Sequence, residues 1–416
     1  DRKEIMFIKE RNICDVCQSN NLVNVIDLGF SPIANKFCRE KNTEIEAFPL
    51  VLDFCKDCFN LQLRHCFDAS YLYDETYAYS TPSATSLDSH YSDTLKKLIE
   101  LDAISDKSTV VEIGSNNGNF LATLQKFSGK VLGIDPASNV TAVANCCGIP
   151  TITGFFDEDI SQIIAADFGD VDLLVARHMF AHNSTAVEMM KGVRGCLASD
   201  GTFLVENAYA IETLLKGEFD QVYHEHMFYY SASSINKLMT NFGFELYDIF
   251  FSDVHGGSAS FFICNKGQRP ISSQVTECLE KEQELFTNKD TFVQFQDGVY
   301  ELKNQVNQFL DKCVNKGDTI AVYSVPNKLF TFLSFIEFPL NKIKFMVDTS
   351  PAKVGKFYPN SNIKIISESE LAVRDCDVFL IGAWNYKREI IERAPSLFKP
   401  GTKLVFALPF FDVVVV

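Results

Sequence analysis

The run Val110-Val111-Glu112-Ile113-Gly114-Ser115-Asn116-Asn117-Gly118-Asn119-Phe120 constrains the fold of this chain more than any other segment. An apolar strand leads into a glycine turn, and the turn leads into a helix. A second apolar run ends on Ile134-Asp135, so an acidic residue closes the next strand about twenty residues further on. That order opens a doubly wound parallel sheet. It places a nucleoside beyond the carboxyl ends of the strands, with Asp135 set to accept from ribose hydroxyls. The glycine spacing discriminates among nucleosides. A dinucleotide site wants G-x-G-x-x-G, so that bare backbone approaches a pyrophosphate. Here Asn116 and Asn119 occupy the second and third glycine positions. A ligand without a pyrophosphate, S-adenosylmethionine (SAM), fits better, and Glu112 is placed to hold its methionyl ammonium. An NAD-like ligand and an apolar strand with no ligand are the other readings.

The chain has 416 residues, enough for two or three domains with full cores. A formal charge of −16 argues against a nucleic-acid partner, which needs a basic face, and against anionic membrane surfaces. No apolar run is long enough for a membrane span. The opening residues Asp1-Arg2-Lys3-Glu4 are charged and do not begin a signal peptide. The cysteines number 13, and an odd count without such a signal reads as cytosolic thiols plus a metal site. A cytoplasmic monomer or weak homo-oligomer is expected.

From Ser108 onward, strand and helix patterns alternate. Strand candidates start near Thr109, Lys130, Val171, Thr202, Phe244 and Ser258. The last two runs are joined only by Asp253-Val254-His255-Gly256-Gly257, so they form an antiparallel pair at the end of the sheet. Residues from Ser273 to Asn315 read as helices bridging two domains. A second α/β unit follows, with strands near Thr319–Tyr323, Ile343–Val347, Asp377–Ile381 and Lys403–Ala407. The expected domains are residues 1–75, 76–266 and 267–416.

Two C-x-x-C knuckles, Cys14-Asp15-Val16-Cys17 and Cys55-Lys56-Asp57-Cys58, precede the sheet. Four thiolates in two such pairs complete a closed tetrahedral zinc site, which is structural because no position is open to water. The gap between the knuckles has room for an inserted hairpin. Cys38 and Cys66 lack the paired spacing.

The second chemical cluster is Phe219-Asp220-Gln221-Val222-Tyr223-His224-Glu225-His226. Its histidines do not form H-E-x-x-H, so general acid–base work is the better reading. His182 follows the strand Asp172–Ala176, at the carboxyl end of the sheet, and His255 lies in the final turn. Tyr77 and Tyr79 sit in a polar aromatic loop able to line a pocket.

The order of these signals is specific. A four-cysteine module, an E-x-G-S-N-x-G sheet, a Tyr-x-Glu-His cluster, a His-Gly-Gly turn and a second α/β unit follow one another. The chain resembles the sugar C-methyltransferases that act on nucleotide-linked 4-keto deoxysugars, over nearly its whole length. The resemblance implies a zinc module, a class I methyltransferase sheet with an antiparallel final strand, and a C-terminal Rossmann-like unit. It implies SAM on Glu112, Gly114, Asn116, Gly118 and Asp135. It makes His226 the base, with Tyr223, Glu225, His182, Tyr77, Tyr79 and His255 around the sugar. In the C-terminal unit Lys328, Trp384 in Gly382-Ala383-Trp384-Asn385, and Asp348-Thr349-Ser350-Pro351 match the family pattern. Asn117 stands where an aspartate is usual, Ser260 where an arginine is common, and Val322-Tyr323-Ser324 where a glycine-rich turn is common. The alternatives are an O- or N-methyltransferase on a sugar nucleotide, a non-catalytic binding relative, and an NAD-dependent oxidoreductase.

Overall fold

The computed structural model describes residues 8–72, 85–182, 186–371 and 376–416. Within these the chain forms two compact units. The first holds the described residues among 8–24, 53–211 and 226–288; the second holds those among 25–52, 212–225 and 289–416.

The N-terminal strands are short: β1 (Ile8–Glu10), β2 (Leu22–Pro32), β3 (Ala47–Cys55), β4 (Leu61–Leu63) and β5 (His65–Phe67). Strands β2 and β3 are sheet neighbours and constitute the insert between the two knuckles. Strands β3 and β4 are buried along most of their length, with Phe54, Leu61 and Leu63 each 1 % exposed.

The first unit is built on a sheet of β6 (Thr109–Ile113), β7 (Lys130–Asp135), β8 (Thr151–Thr153), β9 (Val171–Arg177), β10 (Leu197–Ala208), β12 (Phe244–Ser252) and β13 (Ser258–Asn265). The two-residue β11 (Phe228–Tyr229) instead pairs with β4. The sheet order is β12-β13-β10-β9-β6-β7-β8. Strand β13 runs antiparallel to both neighbours, and the other strand pairs are parallel. The strand spacing predicts a mainly parallel sheet ending in an antiparallel pair, and the arrangement is the class I methyltransferase sheet that the resemblance implies. Strand β8 is three residues long and was too short to read as a periodic segment.

The strands near the middle are buried along most of their length, as parallel strands covered on both faces require; all five residues of β6 are buried. Helix Thr85–Glu100 lays Leu87, Tyr91, Leu95 and Leu98 against Val110, Leu173 and Val175 of the sheet. Each such side chain contributes about 1.5–3 kcal/mol by leaving water. The packing also carries His90 and Tyr91 to the carboxyl end of the strands.

The second unit carries a sheet of order β16-β15-β14-β17-β18-β19, with β14 (Ile320–Tyr323), β15 (Ile343–Val347), β16 (Ile365–Ile366), β17 (Val378–Ile381), β18 (Lys403–Phe406) and β19 (Asp412–Val415). It is parallel except for β19, an added edge strand antiparallel to β18. Helix Thr291–Lys316 buries Phe295, Val299, Leu302, Val306, Leu310 and Cys313 at three- to four-residue spacing and stops at Gly317 in the left-handed region. Among the described residues, no helix is long and apolar enough to cross a membrane.

Candidate active site

The turn after β6 is held by backbone groups. Gly114 N–H donates to Ile134 O at 2.7 Å. Asn116 N–H donates to Asp135 Oδ2 at 2.9 Å, and Ala137 N–H donates to Asp135 Oδ1 at 2.9 Å. Asp135 therefore clamps the turns after both strands, and each oxygen retains a lone pair for a ligand. Burial raises its pKa against the pull of these two bonds. Gly114 has φ +69°, and a Cβ there would meet Met179 Cγ at 2.6 Å. Gly118 has φ +77° and starts helix Asn119–Leu124. The same device recurs in the second unit, where Asp348 accepts from Val325 N–H and Ser350 N–H, both at 2.8 Å.

Beyond these turns lies a cavity of about 380 Å³. Glu112, Gly114, Asn116, Asp135, His182 and His255 all line it, together with Phe155 and Phe156 after β8. A cavity of that size, lined by both apolar and charged side chains, suits a nucleoside with an amino-acid tail.

Its charged wall contains residues that the sequence patterns did not mark. Arg177 at the end of β9 places Nε 3.1 Å from Glu112 Oε1. Its guanidinium lies over Phe120 at 3.9 Å and Tyr91 at 4.6 Å. Glu206 on β10 is 1 % exposed. Its Oε2 accepts from Ser260 Oγ at 2.7 Å and lies 2.8 Å from His90 Nε2, while Oε1 lies 2.9 Å from His178 Nε2. Burial alone would raise the Glu206 carboxyl, but His90 and His178 outweigh it and hold the pKa well below the usual range. Burial raises Glu112 to about 7 against the pull of Arg177. Glu112 Oε2 is buried and has no hydrogen-bond partner among the described residues.

The four knuckle cysteines converge in the first unit. Cys14 and Cys58 Sγ are 3.5 Å apart, as are Cys17 and Cys55, and all four sulfurs lie within 4.8 Å of one another. A tetrahedral zinc with bonds of ~2.3 Å has sulfur–sulfur edges of ~3.8 Å, so the set fits. The two turns are copies of each other. Gln18 N–H donates to Cys14 O at 2.8 Å and Phe59 N–H donates to Cys55 O at 2.9 Å. Gln18 and Phe59 are both left-handed, at φ +62° and +61°.

Comparison with known proteins adds three family matches. A zinc-binding domain model covers residues 14–73, a methyltransferase domain model covers 86–249, and the C-methyltransferase C-terminal domain model covers 253–409. The chain is 31 % identical to C-methyltransferase NovU of Streptomyces niveus over 400 residues, covering 95 % of each protein. This chain belongs to the C-methyltransferase family. It is a SAM-dependent methyltransferase with a structural zinc in its N-terminal module. Among solved structures it is similar to magnesium protoporphyrin IX methyltransferase of Synechocystis PCC 6803, at 13 % identity and TM-score 0.35, covering 46 % of this chain and 91 % of that one. The N-methyltransferase NodS of Bradyrhizobium japonicum WM9 gives 14 % identity and TM-score 0.34, covering 43 % and 96 %. Overlaps that low specify neither substrate nor mechanism.

In this methyltransferase the expected site residues fall in both units. His182 and His226 are together in the first, ring centroids 4.9 Å apart. His255 has φ +55°, and its ring lies 4.5 Å from that of His178. Burial, aided by His178, pushes His182 down to about 3, so its ring is neutral at physiological pH. Tyr223 and Glu225 belong to the second unit, where Asn35 Nδ2 and Asn327 Nδ2 donate to Glu225 at 3.2 and 3.3 Å. Lys328 and Trp384 meet there: Lys328 Nζ lies 3.6 Å from the centre of the Trp384 ring and donates to Asn385 Oδ1 at 2.9 Å. Trp384 Nε1 donates to Asp220 Oδ2 at 2.6 Å. Burial lowers Lys328 to about 8 against the pull of Asp220 and Glu218. Tyr77 and Tyr79 lie outside the described residues.

Glu112 yields a pH prediction. Its carboxyl is half protonated near pH 7 in the free enzyme. The resemblance implies the SAM ammonium on this carboxylate; that contact would favour the ionised form, so binding is expected to drive the proton off and to tighten as pH rises through 7. In calorimetric titrations at pH 7, Glu112→Gln is expected to reduce the buffer-dependent proton release on SAM binding. Equal release by both proteins would refute the assignment.

Proposed function

We propose that this enzyme methylates a carbon adjacent to the ketone of a nucleotide-linked keto-deoxysugar. SAM supplies a methyl group on an electron-poor sulfur, so the chain's own task is to produce a carbon nucleophile. A sugar carbon becomes one only when a neighbouring ketone makes its hydrogen acidic. The observation that carries the reading is the His182–His226 pair, in which His182 lines the cavity and the His226 ring lies 4.9 Å from it. A neutral imidazole whose pKa is near 3 is a poor proton acceptor but a usable hydrogen-bond partner. That leaves His226 as the base of the pair. His226 takes the α-proton, and the C–H electrons pass toward the ketone oxygen as an enolate. The enolate carbon then takes the methyl group, the S–CH3 electron pair stays on sulfur, and S-adenosylhomocysteine leaves. Positioning supplies much of the remaining acceleration.

The nucleotide-linked sugar rests on the sequence resemblance, including the segments around Lys328 and Trp384. A reducing, cytosolic setting suits thiols that form no disulfide. The test is methyl incorporation into a panel of nucleotide-linked 4-keto deoxysugars, with product NMR. A new methyl on a carbon beside the former ketone supports the reading. A methyl on oxygen or nitrogen, or acceptance of a substrate lacking a ketone, overturns it.

A further inference from the structure

We propose that Arg177 and Glu112 form one receptor for the amino-acid end of SAM, Arg177 taking the α-carboxylate while the second oxygen of Glu112 takes the α-ammonium. An α-amino acid presents a carboxylate and an ammonium on neighbouring atoms. The cavity wall presents the complementary pattern, a guanidinium and a carboxylate joined at 3.1 Å. Both side chains line the cavity that Asp135 also lines. The Arg177 and Glu112 side chains are only 11 % and 2 % exposed.

Each partner has capacity left. Glu112 uses Oε1 on Arg177, whereas Oε2 is buried without a partner. A guanidinium has five N–H donors in a planar fork, and Glu112 uses the one on Nε. The rings of Phe120 and Tyr91 limit rotation of that plane, so the fork is pre-set for a second carboxylate. Glu206 does not saturate it, since its Oε1 is 4.0 Å from Nη1. The Arg177–Glu112 pair with Glu112 ionised and the amino-acid end of SAM each carry no net charge, so pairing the two leaves no uncompensated charge between them.

The proposal rests on SAM occupying this cavity, and binding alone tests it, without any sugar substrate. The probes are SAM, decarboxylated SAM, and 5′-methylthioadenosine, which has no amino-acid tail. The wild-type enzyme is expected to bind SAM about 10- to 100-fold more tightly than decarboxylated SAM, the range for a charge-assisted hydrogen-bonded contact. Arg177→Met is expected to abolish that preference and leave 5′-methylthioadenosine affinity within about twofold. Arg177→Lys should restore part of the preference, because it keeps the charge but not the fork. Equal weakening of all three ligands in Arg177→Met would mean a merely structural arginine and overturn the proposal. A wild-type enzyme that does not discriminate decarboxylated SAM would overturn it even if the Met variant fails to fold. Failure of wild type to bind 5′-methylthioadenosine would remove the nucleoside from this cavity, and the proposal with it.

Discussion

Chelating the zinc is expected to unfold the N-terminal knuckles and abolish methyl transfer. Zinc binding to small modules contributes roughly 10–16 kcal/mol at neutral pH, which is comparable to or larger than the stability of a whole domain. Apart from Cys55 at the end of β3, the residues that carry the four sulfurs have no regular secondary structure of their own to hold them once the metal is gone. Their aromatic anchors run into the rest of the first unit: Phe54 and Phe59 lie 4.9 and 5.2 Å from the ring of Phe286 on helix Ser273–Thr287. Ser231 Oγ, at the start of helix Ala232–Asn241, donates to Phe59 O at 3.2 Å. Melting the knuckles therefore frees surface on two helices of the cofactor-binding unit. Metal analysis should find about one zinc per chain. Chelation or Cys58→Ser should release it, lower the melting temperature by more than about 10 °C and expose residues 14–73 to protease. A metal-free protein with an unchanged melting curve would show that the four thiols are not a structural site.

His226→Asn is expected to lower kcat by about 10²- to 10⁴-fold, the usual range for loss of a general base. SAM affinity should change little, because the cavity's cofactor-facing residues come from β6, β7 and β9. The decisive readout is exchange of the substrate's α-hydrogen with solvent deuterium in the absence of methyl transfer. His226→Asn should suppress it. His182→Asn should suppress it less, since the neutral His182 ring does not take up the proton. Unaltered exchange in the His226 variant would remove the base assignment while leaving SAM-dependent methylation in place.

The strands of both sheets were legible because each is a short apolar run bounded by turn residues, and parallel strands demand such runs. Strands β8 and β16 escaped because two or three residues carry no period. Strand β19 escaped because Asp412–Val415 lies at a sheet edge with exposed and half-buried side chains. The histidine cluster at residues 223–226 reads as one patch in sequence, yet the unit division falls between Glu225 and His226. Each half has its own surroundings: two asparagine amides around Glu225, and His182 beside His226.

The wall of the cavity shows where local pattern ends. Register pairs Arg177 with Glu206 across β9 and β10, and Glu206 with Ser260 across β10 and β13. No two of these residues share a motif, and an isolated Arg or Glu near a strand end carries no signal. The sequence by itself determined the glycine turn, the acidic strand end, the two knuckles and the family, because left-handed backbone and metal ligands demand particular residues at short spacing. Only the tertiary structure decided which buried charges face one another, because strand register and desolvation act between residues far apart in the chain.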